Sequence, residues 1–256
     1  MHNAAASSTT FTVDAGRLLW VVFLFFLVFE VGLVYLDLTI NWLRWSESGP
    51  IRRLFNITRE DGLASWFAVT QTVLVALTLW SGFAITRKQG ASALRRIGWL
   101  FLALFFTFMA IDDGAMIHER LGSAFQQSHG VGLFPSYAWQ MVIAPFFVVA
   151  GILMVLFLWY ELPRPIDRWR VTAAVACLAV AVGMDFVEGM DDGYRWLIHA
   201  FGWDNGAIKH FSKSIEEFIE MLAMSILLVT FLGHIASTSG AIALRFVSSA
   251  PSTVAN

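Results

Sequence analysis

Four hydrophobic segments of the chain each carry two ionisable side chains that are seven residues apart. The pairs are Glu30 and Asp37, Asp112 and Glu119, Asp185 and Asp192, and His210 and Glu217. An α-helix turns about 100° per residue, so residues seven apart fall within about 20° of one another and about 10 Å apart along the axis. Each segment is therefore predicted to be a helix with one polar stripe.

These stripes predict a metal site. Ionisable groups inside a membrane nearly always face the interior of the helix bundle and mark a functional site. Carboxylates and histidines on facing helices suit iron, zinc or manganese, whereas calcium prefers oxygen ligands alone. The predicted cofactor is a divalent transition metal: iron, zinc or manganese. The predicted ligands are Glu30, Asp112, His118, Asp185, Glu188, His210 and Glu217.

Two further residues are predicted to take part in catalysis. Glu119 is a candidate general base, because a carboxylate that does not bind the metal is able to accept a proton. Lys213 lies on the stripe of His210 and Glu217 and is a candidate catalytic residue, either as a substrate anchor or as a counter-ion. The alternative for Lys213 is that its charged end merely extends to the membrane surface.

The chain lacks the motifs of several known metal and hydrolase sites. No predicted span contains Glu-x-x-His, so the ferritin-like di-iron pattern is absent. The segment "HERLG" that starts at His118 is not His-Glu-x-x-His, which excludes the common zinc-protease motif. Cys177 is the only cysteine, so the chain forms no internal disulfide and no thiolate metal cluster.

Composition predicts an all-α, polytopic membrane bundle. Of the 256 residues, 57% are hydrophobic and 14% are charged, whereas soluble domains carry roughly 25% charged residues. Runs of about 20 apolar residues are long enough to span a membrane. The six predicted spans are approximately 17–41, 64–86, 95–119, 137–160, 170–192 and 209–234. They form one domain, 17–236, between flexible tails at 1–16 and 237–256, and the small-residue run "AAVACLAVAVG" predicts that the fifth span packs centrally.

The charges predict an orientation. Six spans place both termini and the basic loop "RKQGASALRR" on one side, and the positive-inside rule makes that side the cytoplasm. All acidic residues except Asp14, Glu161 and Asp167 lie toward the opposite face. The acidic site is therefore expected in the non-cytoplasmic half of the bundle.

Three functions are compatible with these features. The first is a metal-dependent membrane enzyme, a hydrolase or an oxidoreductase with one or two metal ions, whose depth in the membrane predicts a lipid-like or amphipathic substrate. The second is a cation- or proton-coupled transporter or channel, and the third is a non-catalytic subunit of a membrane complex. The cytoplasmic halves of the spans carry few ionisable groups, which favours a site over a path. The expected partners are membrane lipids, and no nucleic acid is expected. The remaining alternative is that the acidic residues have no site to form and simply lie at helix ends near the membrane surface.

Overall fold

The computed structural model describes residues 14–129, 144–190 and 193–239, and the regular elements in these ranges are helices. They are α1 (Ala15–Asp37), a π-helical turn (Leu38–Trp42), α2 (Gly49–Leu54), α3 (Leu63–Lys88), α4 (Ala93–Ala115), α5 (Ile117–His129), α6 (Ala144–Glu161), α7 (Pro165–Gly189), α8 (Arg195–Phe201) and α9 (Asn205–Ser239). The predicted tails lie outside the described residues except at their inner ends, where 15–16 and 237–239 are helical.

In the described part of the chain, five helices are long and apolar enough to cross a membrane, which confirms the all-α membrane bundle. They are α1 with its π-helical turn, α3, α4, α7 and α9. The apolar part of α6, Pro145–Glu161, is shorter. It corresponds to the fourth predicted span, whose first residues, 137–143, lie outside the described residues.

The central helix of the bundle is α9. It packs against α7, α3 and α1, while α4 packs against α3, and α6 against α7 and α4. The expectation that the small-residue helix α7 would be central is wrong, because α9 is far more buried along its span. In α7, Ala174 and Ala181 are buried, but much of the rest of the helix faces outward. Small residues bring two helices close on one face without surrounding either of them.

Aromatic packing closes the end of the bundle opposite the acidic side chains. Trp99 is buried, stacks on His234 with ring centroids 5.4 Å apart, and donates a hydrogen bond from Nε1 to Glu161 at 3.1 Å. Arg95 pairs with the same carboxylate, with its Nε 2.8 Å from Oε2 of Glu161. A Cβ atom at Gly98 would overlap the ring of Phe157, so glycine is what allows α6 to pack closely against α4 here.

A helix break corrects the prediction for the third span. The chain does not continue as one helix to residue 119: α4 ends at Ala115, and Met116 adopts the left-handed conformation, with φ of 53° and ψ of 43°. The N–H of Met116 bonds to the carbonyl oxygen of Asp112, and α5 then starts at Ile117. Asp112 and Glu119 therefore belong to different helices, and the seven-residue spacing does not put them on one helical face.

Candidate functional site

A cavity of about 650 Å³ lies among α3, α4, α6, α7 and α9. Its ionisable lining residues are Arg59, Glu60, Asp112, Asp113, His118, Asp185, Lys213, Glu216, Glu217 and Glu220. The remaining lining is mostly aliphatic, aromatic and methionine side chains. Among the described residues, seven carboxyl groups thus line this cavity together with three basic side chains.

The polar and apolar lining residues separate along the membrane normal. In α4 the cavity is lined first by Phe105 and Met109 and then by the two aspartates at 112–113. In α7 apolar lining residues precede Asp185, and in the antiparallel α9 the acids come first and Met224 comes last. All three helices therefore place their ionisable groups at the same end, and the cavity has an acidic end and an apolar end.

The helix break at Met116 turns the chain so that His118 reaches back to Asp112. The backbone N–H of His118 donates to Oδ1 of Asp112 at 2.8 Å, and Nδ1 of the ring lies 3.0 Å from Oδ2. Both residues line the cavity, and Asp112 is buried. The carboxylate therefore fixes both the backbone and the ring of the histidine.

Two groups of side chains around His118 are arranged so that they could hold a metal ion. In one group His118 joins Glu60 and Glu119, and in the other it joins Asp112 and Asp113; in each, the ligand atoms lie within 4.8 Å of one another. Ligands of one zinc or iron ion lie about 2.0–2.2 Å from it, so two of them are at most about 4.4 Å apart. Only small side-chain movements are needed to bring the ligand atoms of either group within bonding distance of one metal ion.

The close packing of Glu60, His118 and their acidic neighbours changes the pKa values of Glu60 and His118. Burial raises the pKa of Glu60 to about 8, and the hydrogen bond and negative charge of Glu119 add to the effect. Burial lowers the pKa of His118, but the hydrogen bond and charge of Asp112 outweigh it, so the pKa is raised overall. Both shifts in pKa favour the protonated forms of Glu60 and His118.

Lys213 neutralises the carboxylates on the other side of the cavity. Its Nζ lies 3.0 Å from Asp185 Oδ1, 2.5 Å from Glu216 Oε1 and 4.0 Å from Glu217 Oε1. Glu216 is only 2% exposed, and its second oxygen, Oε2, is buried and has no hydrogen-bond partner. Among the described residues that line this cavity, Glu216 therefore offers a buried acceptor oxygen to a ligand.

His210, a predicted metal ligand, lies in a separate polar cluster next to this cavity. Its Nε2 is 3.1 Å from Asp37 Oδ2, and Ser214 donates to the same oxygen at 3.2 Å. The other oxygen of Asp37 accepts a hydrogen bond from Asn41 at 3.0 Å. Beside this cluster is a second cavity of about 250 Å³, lined by Thr58, Glu188, Lys209, His210 and Lys213. Glu188 and His210 therefore border the second cavity, and Lys213 borders both.

Glu30, another predicted ligand, does not line either cavity. It is fully buried where α1, α3 and α9 meet, and its Oε1 accepts hydrogen bonds from Gln71 at 2.8 Å and from Ser225 at 2.6 Å. Its other oxygen, Oε2, has no partner, and neither has Oε1 of Gln71. Glu30 is therefore part of a buried hydrogen-bond network between three helices and not part of a cavity wall.

The cavity contains four acids that the seven-residue spacing did not select as ligands or catalytic residues. Glu60 comes from the loop before α3, Asp113 follows Asp112 directly, and Glu216 and Glu220 flank Glu217 on α9. The consecutive carboxylates "DD" and "EE" were a usable signal, because two adjacent acids in a hydrophobic segment cannot both be placed at its lipid surface without cost. Glu60 lies in a loop, and the helical spacing of polar residues does not predict where a loop residue will lie.

A known family covers almost all of this architecture. The family model described as Domain of unknown function (DUF8692) matches residues 18–235, which include both cavities and the Glu30 cluster. No curated protein and no solved structure matches the chain. The chain belongs to the DUF8692 family.

Proposed function

We propose that the protein is a membrane-embedded, metal-dependent enzyme, a hydrolase or an oxidoreductase, that acts on a lipid-like or amphipathic substrate. The observation that carries the proposal is that one cavity combines a carboxylate–histidine end with a long apolar end. A substrate with a reactive polar group and an apolar chain would place the polar group at the first end and the chain at the second. A site of this kind also needs no polar path through the bundle.

The metal ligands in this proposal are His118, Glu60 and Glu119. A metal-binding histidine usually donates its other ring N–H to a carboxylate, which fixes the ring and raises its basicity. Asp112 has this position, since its Oδ2 lies 3.0 Å from Nδ1. Nε2 would then be the ring nitrogen that binds the metal, together with the carboxylates of the two glutamates. Asp112 is a positioning residue, and Glu119 is a ligand rather than the base that the sequence predicted.

The bound metal would supply Lewis acidity or redox chemistry next to the apolar cavity. Glu216 is the candidate proton acceptor, because its buried Oε2 has no other partner and the residue lines the cavity. Lys213 holds Oε1 of Glu216 at 2.5 Å and thereby orients the carboxylate.

The wall of the cavity at α6 supports access from the lipid phase. Val148, Ile152 and Leu156 of α6 line the cavity, and each of them is more than half exposed. The wall that α6 contributes is therefore aliphatic, as the acyl region of a membrane is. This arrangement suits a substrate that is dissolved in the membrane.

A transporter would need polar side chains that continue beyond the acidic end. Along α4, α7 and α9 the cavity lining instead changes to Phe105, Val175 and Met224. Beyond them, the Trp99 and Glu161 cluster closes the bundle. The enzyme hypothesis therefore fits the described residues better than a cation or proton path does.

The orientation is part of the same proposal. The basic residues of the turn between α3 and α4 lie at the end of these helices that is remote from the acidic end of the cavity. By the positive-inside rule, that turn is cytoplasmic and the site faces the opposite side. A cysteine placed at exposed Ser48 should then react with a membrane-impermeant maleimide in intact cells, and one placed at exposed Lys88 should not.

The test of the metal site is elemental analysis of the full-length protein purified in detergent. We expect close to one or two iron, zinc or manganese atoms per chain, with metal lost in His118→Ala and Glu119→Gln. Glu47→Gln, at an exposed glutamate that does not line the cavity, is the matched control and should keep its metal. Metal content that is equal in all four proteins, or absent from the folded wild type after growth and reconstitution with each ion, would refute the proposal.

A further inference from the structure

The charges of the 650 Å³ cavity carry an inference about its substrate, which rests on the proposed function. Among the described lining residues, Lys213 and Arg59 carry the fixed positive charges. Arg59 is paired with a carboxylate that does not line the cavity, since its Nε lies 2.8 Å from Oδ1 of Asp61. Lys213 is shared by three lining carboxyl groups, whose oxygens lie between 2.5 and 4.0 Å from its Nζ. The cavity therefore has fewer positive than negative groups.

Two further carboxyl groups of the lining increase this imbalance. Asp113 and Glu220 line the cavity and are half-buried, and within the described part of the chain neither of them forms a hydrogen bond or an ion pair. Carboxyl groups that are crowded in a medium of low polarity need protons or a further cation to compensate their charge. A negatively charged substrate would add to the excess, whereas a positively charged substrate reduces it.

Glu216 shows where a ligand is needed as a hydrogen-bond donor. The residue lines the cavity and is only 2% exposed. Its Oε1 lies 2.5 Å from Nζ of Lys213, while its Oε2 is buried and has no hydrogen-bond partner. A buried acceptor without a donor is costly. A ligand that donates a hydrogen bond to Oε2 removes this cost, and Oε2 is also the atom that accepts a proton in the proposed function.

The carboxyl groups of α9 suit an ammonium group better than a second metal ion. In the described part of the chain, the two groups with ligand atoms within 4.8 Å of one another both contain His118, and neither includes a residue of α9. An ammonium group has three donors that point in different directions, so it suits acceptors that are farther apart. It also brings the positive charge that a hydroxyl group lacks.

The apolar end of the cavity defines the rest of the substrate. From Glu217 to Met224 the axis of α9 covers about 10 Å, and Phe105, Met109 and Val175 line the cavity from the facing helices. A volume of about 650 Å³ falls within the range of about 300–1,000 Å³ that is typical of ligand-binding cavities. An alkyl chain attached to the ammonium group would bury its surface against these side chains.

We propose that the substrate is a long-chain amphipathic amine, whose ammonium group binds to Glu216 and Glu220 while its alkyl chain lies in the apolar end of the same cavity. The two glutamates are four residues apart on α9 and therefore lie on one face of the helix. Glu216 then holds Lys213 with one carboxylate oxygen and the ligand with the other. The substrate class of the enzyme is therefore a lipid-like amine.

The experiment measures ligand binding to the full-length protein, as purified in a non-ionic detergent, by equilibrium dialysis at pH 7 with protein-free micelles as the blank. The probes are radiolabelled octylamine, octanol, octanoate and methylamine. The amine is protonated at this pH, since alkylammonium groups such as that of lysine have a pKa of about 10.4. We expect octylamine to bind at least about ten-fold more tightly than each of the others, because octanol lacks the charge, octanoate carries the opposite charge and methylamine lacks the chain.

Variants on α9 make the test specific. Glu216→Gln should weaken the binding of octylamine by about ten-fold, and Glu47→Gln, at an exposed glutamate that does not line the cavity, should have no effect. Glu220→Gln should weaken it several-fold, and this variant loses no hydrogen bond of the structure, so it serves the test if Glu216→Gln does not fold. Octanol or octanoate that binds as tightly as octylamine, or octylamine binding that is unchanged in the folded variants at Glu216 and Glu220, would overturn the inference.

The metal proposal is tested separately from this binding. Glu119→Gln is expected to lose its metal but to bind octylamine as the wild type does, because Glu119 does not line the cavity. Loss of the preference for the amine with the metal content intact would refute the substrate class alone. Metal that is absent from a protein that still prefers the amine would refute the metal site alone.

Discussion

His118 makes two hydrogen bonds to the carboxylate of Asp112, one from its backbone N–H at 2.8 Å and one through Nδ1 at 3.0 Å. The two bonds require the chain to reverse between them, and the left-handed residue Met116 provides the reversal. A non-glycine residue in this conformation is uncommon, and such positions cluster at functional sites. The break between α4 and α5 is therefore what presents the histidine to the cavity.

Replacement of Asp112 tests this relationship. In Asp112→Asn the side chain keeps its shape but loses the charge and one acceptor oxygen, so the ring of His118 is held less firmly. We expect the metal affinity to fall about 10–100-fold while the protein stays folded. The measurement is a competition titration against a metal-chelating dye. Asp14→Asn is the control, because asparagine caps a helix as well as aspartate does; equal affinities in the two variants would contradict the positioning role.

Metal affinity should rise with pH, because the proposed ligands Glu60 and His118 bind protons more tightly than usual. The pKa of Glu60 is raised to about 8 and the pKa of His118 is also raised, so both groups keep their protons to higher pH than usual. A metal ion must displace these protons, and its affinity is therefore expected to rise between pH 6 and pH 8 and to level off above. The same dye titration measures it. In Glu60→Gln the rise should be smaller, and a pH-independent affinity in the wild type would argue against these ligands.

The sequence was sufficient for the architecture but not for the grouping of the acids. Hydropathy and charge predicted the helical bundle, and the positions of acids along the spans predicted a polar layer at one end. The seven-residue spacing was less informative, because Glu30 and Asp37 share a helix yet enter two different hydrogen-bond networks. Which helices face each other decides this, and periodicity within one helix carries no information about its neighbours.

The two networks also differ in partners that a sequence does not reveal. The donors to Glu30 are a glutamine and a serine from two other helices, and Glu60 reaches the cavity from a loop. Neutral polar residues in hydrophobic spans are common, and nothing in their spacing marks these as partners of an acid. The structure supplies these pairings through tertiary packing alone.

Glu30 is expected to act in packing and not in metal binding. Glu30→Gln keeps the shape of the buried side chain and its acceptor oxygen, and it should leave both the metal content and the thermal stability nearly unchanged. Glu30→Ala removes the acceptor of two buried donors and should cost about 1–3 kcal/mol for each donor left without a partner. Elemental analysis and thermal unfolding in detergent measure the two effects, and metal loss in Glu30→Gln would restore this residue to the set of ligands.

Close packing of α4 on α6 should depend on Gly98. In Gly98→Ala the new Cβ overlaps the ring of Phe157, so one of the helices must shift, at a cost of about 1–3 kcal/mol. Gly151→Ala on α6 is the matched control, since nothing lies within 4 Å of a Cβ added there. Alanine favours a helix over glycine by about 1 kcal/mol, so this control should be neutral or stabilising. Unfolding temperatures in detergent should therefore fall in the first variant only.

Lys213 should be the residue on which the acidic end of the cavity most depends for stability. In Lys213→Met the carboxylates of Asp185 and Glu216 lose their common cation, and breaking a buried ion pair from one side typically costs about 3–5 kcal/mol. Adding Glu216→Gln to this variant removes one unpaired charge and should recover part of the loss. A double-mutant cycle on the free energy of unfolding measures this coupling. Lys88→Met, at an exposed lysine, should have little effect, and strictly additive effects in the cycle would show that Lys213 does not neutralise Glu216.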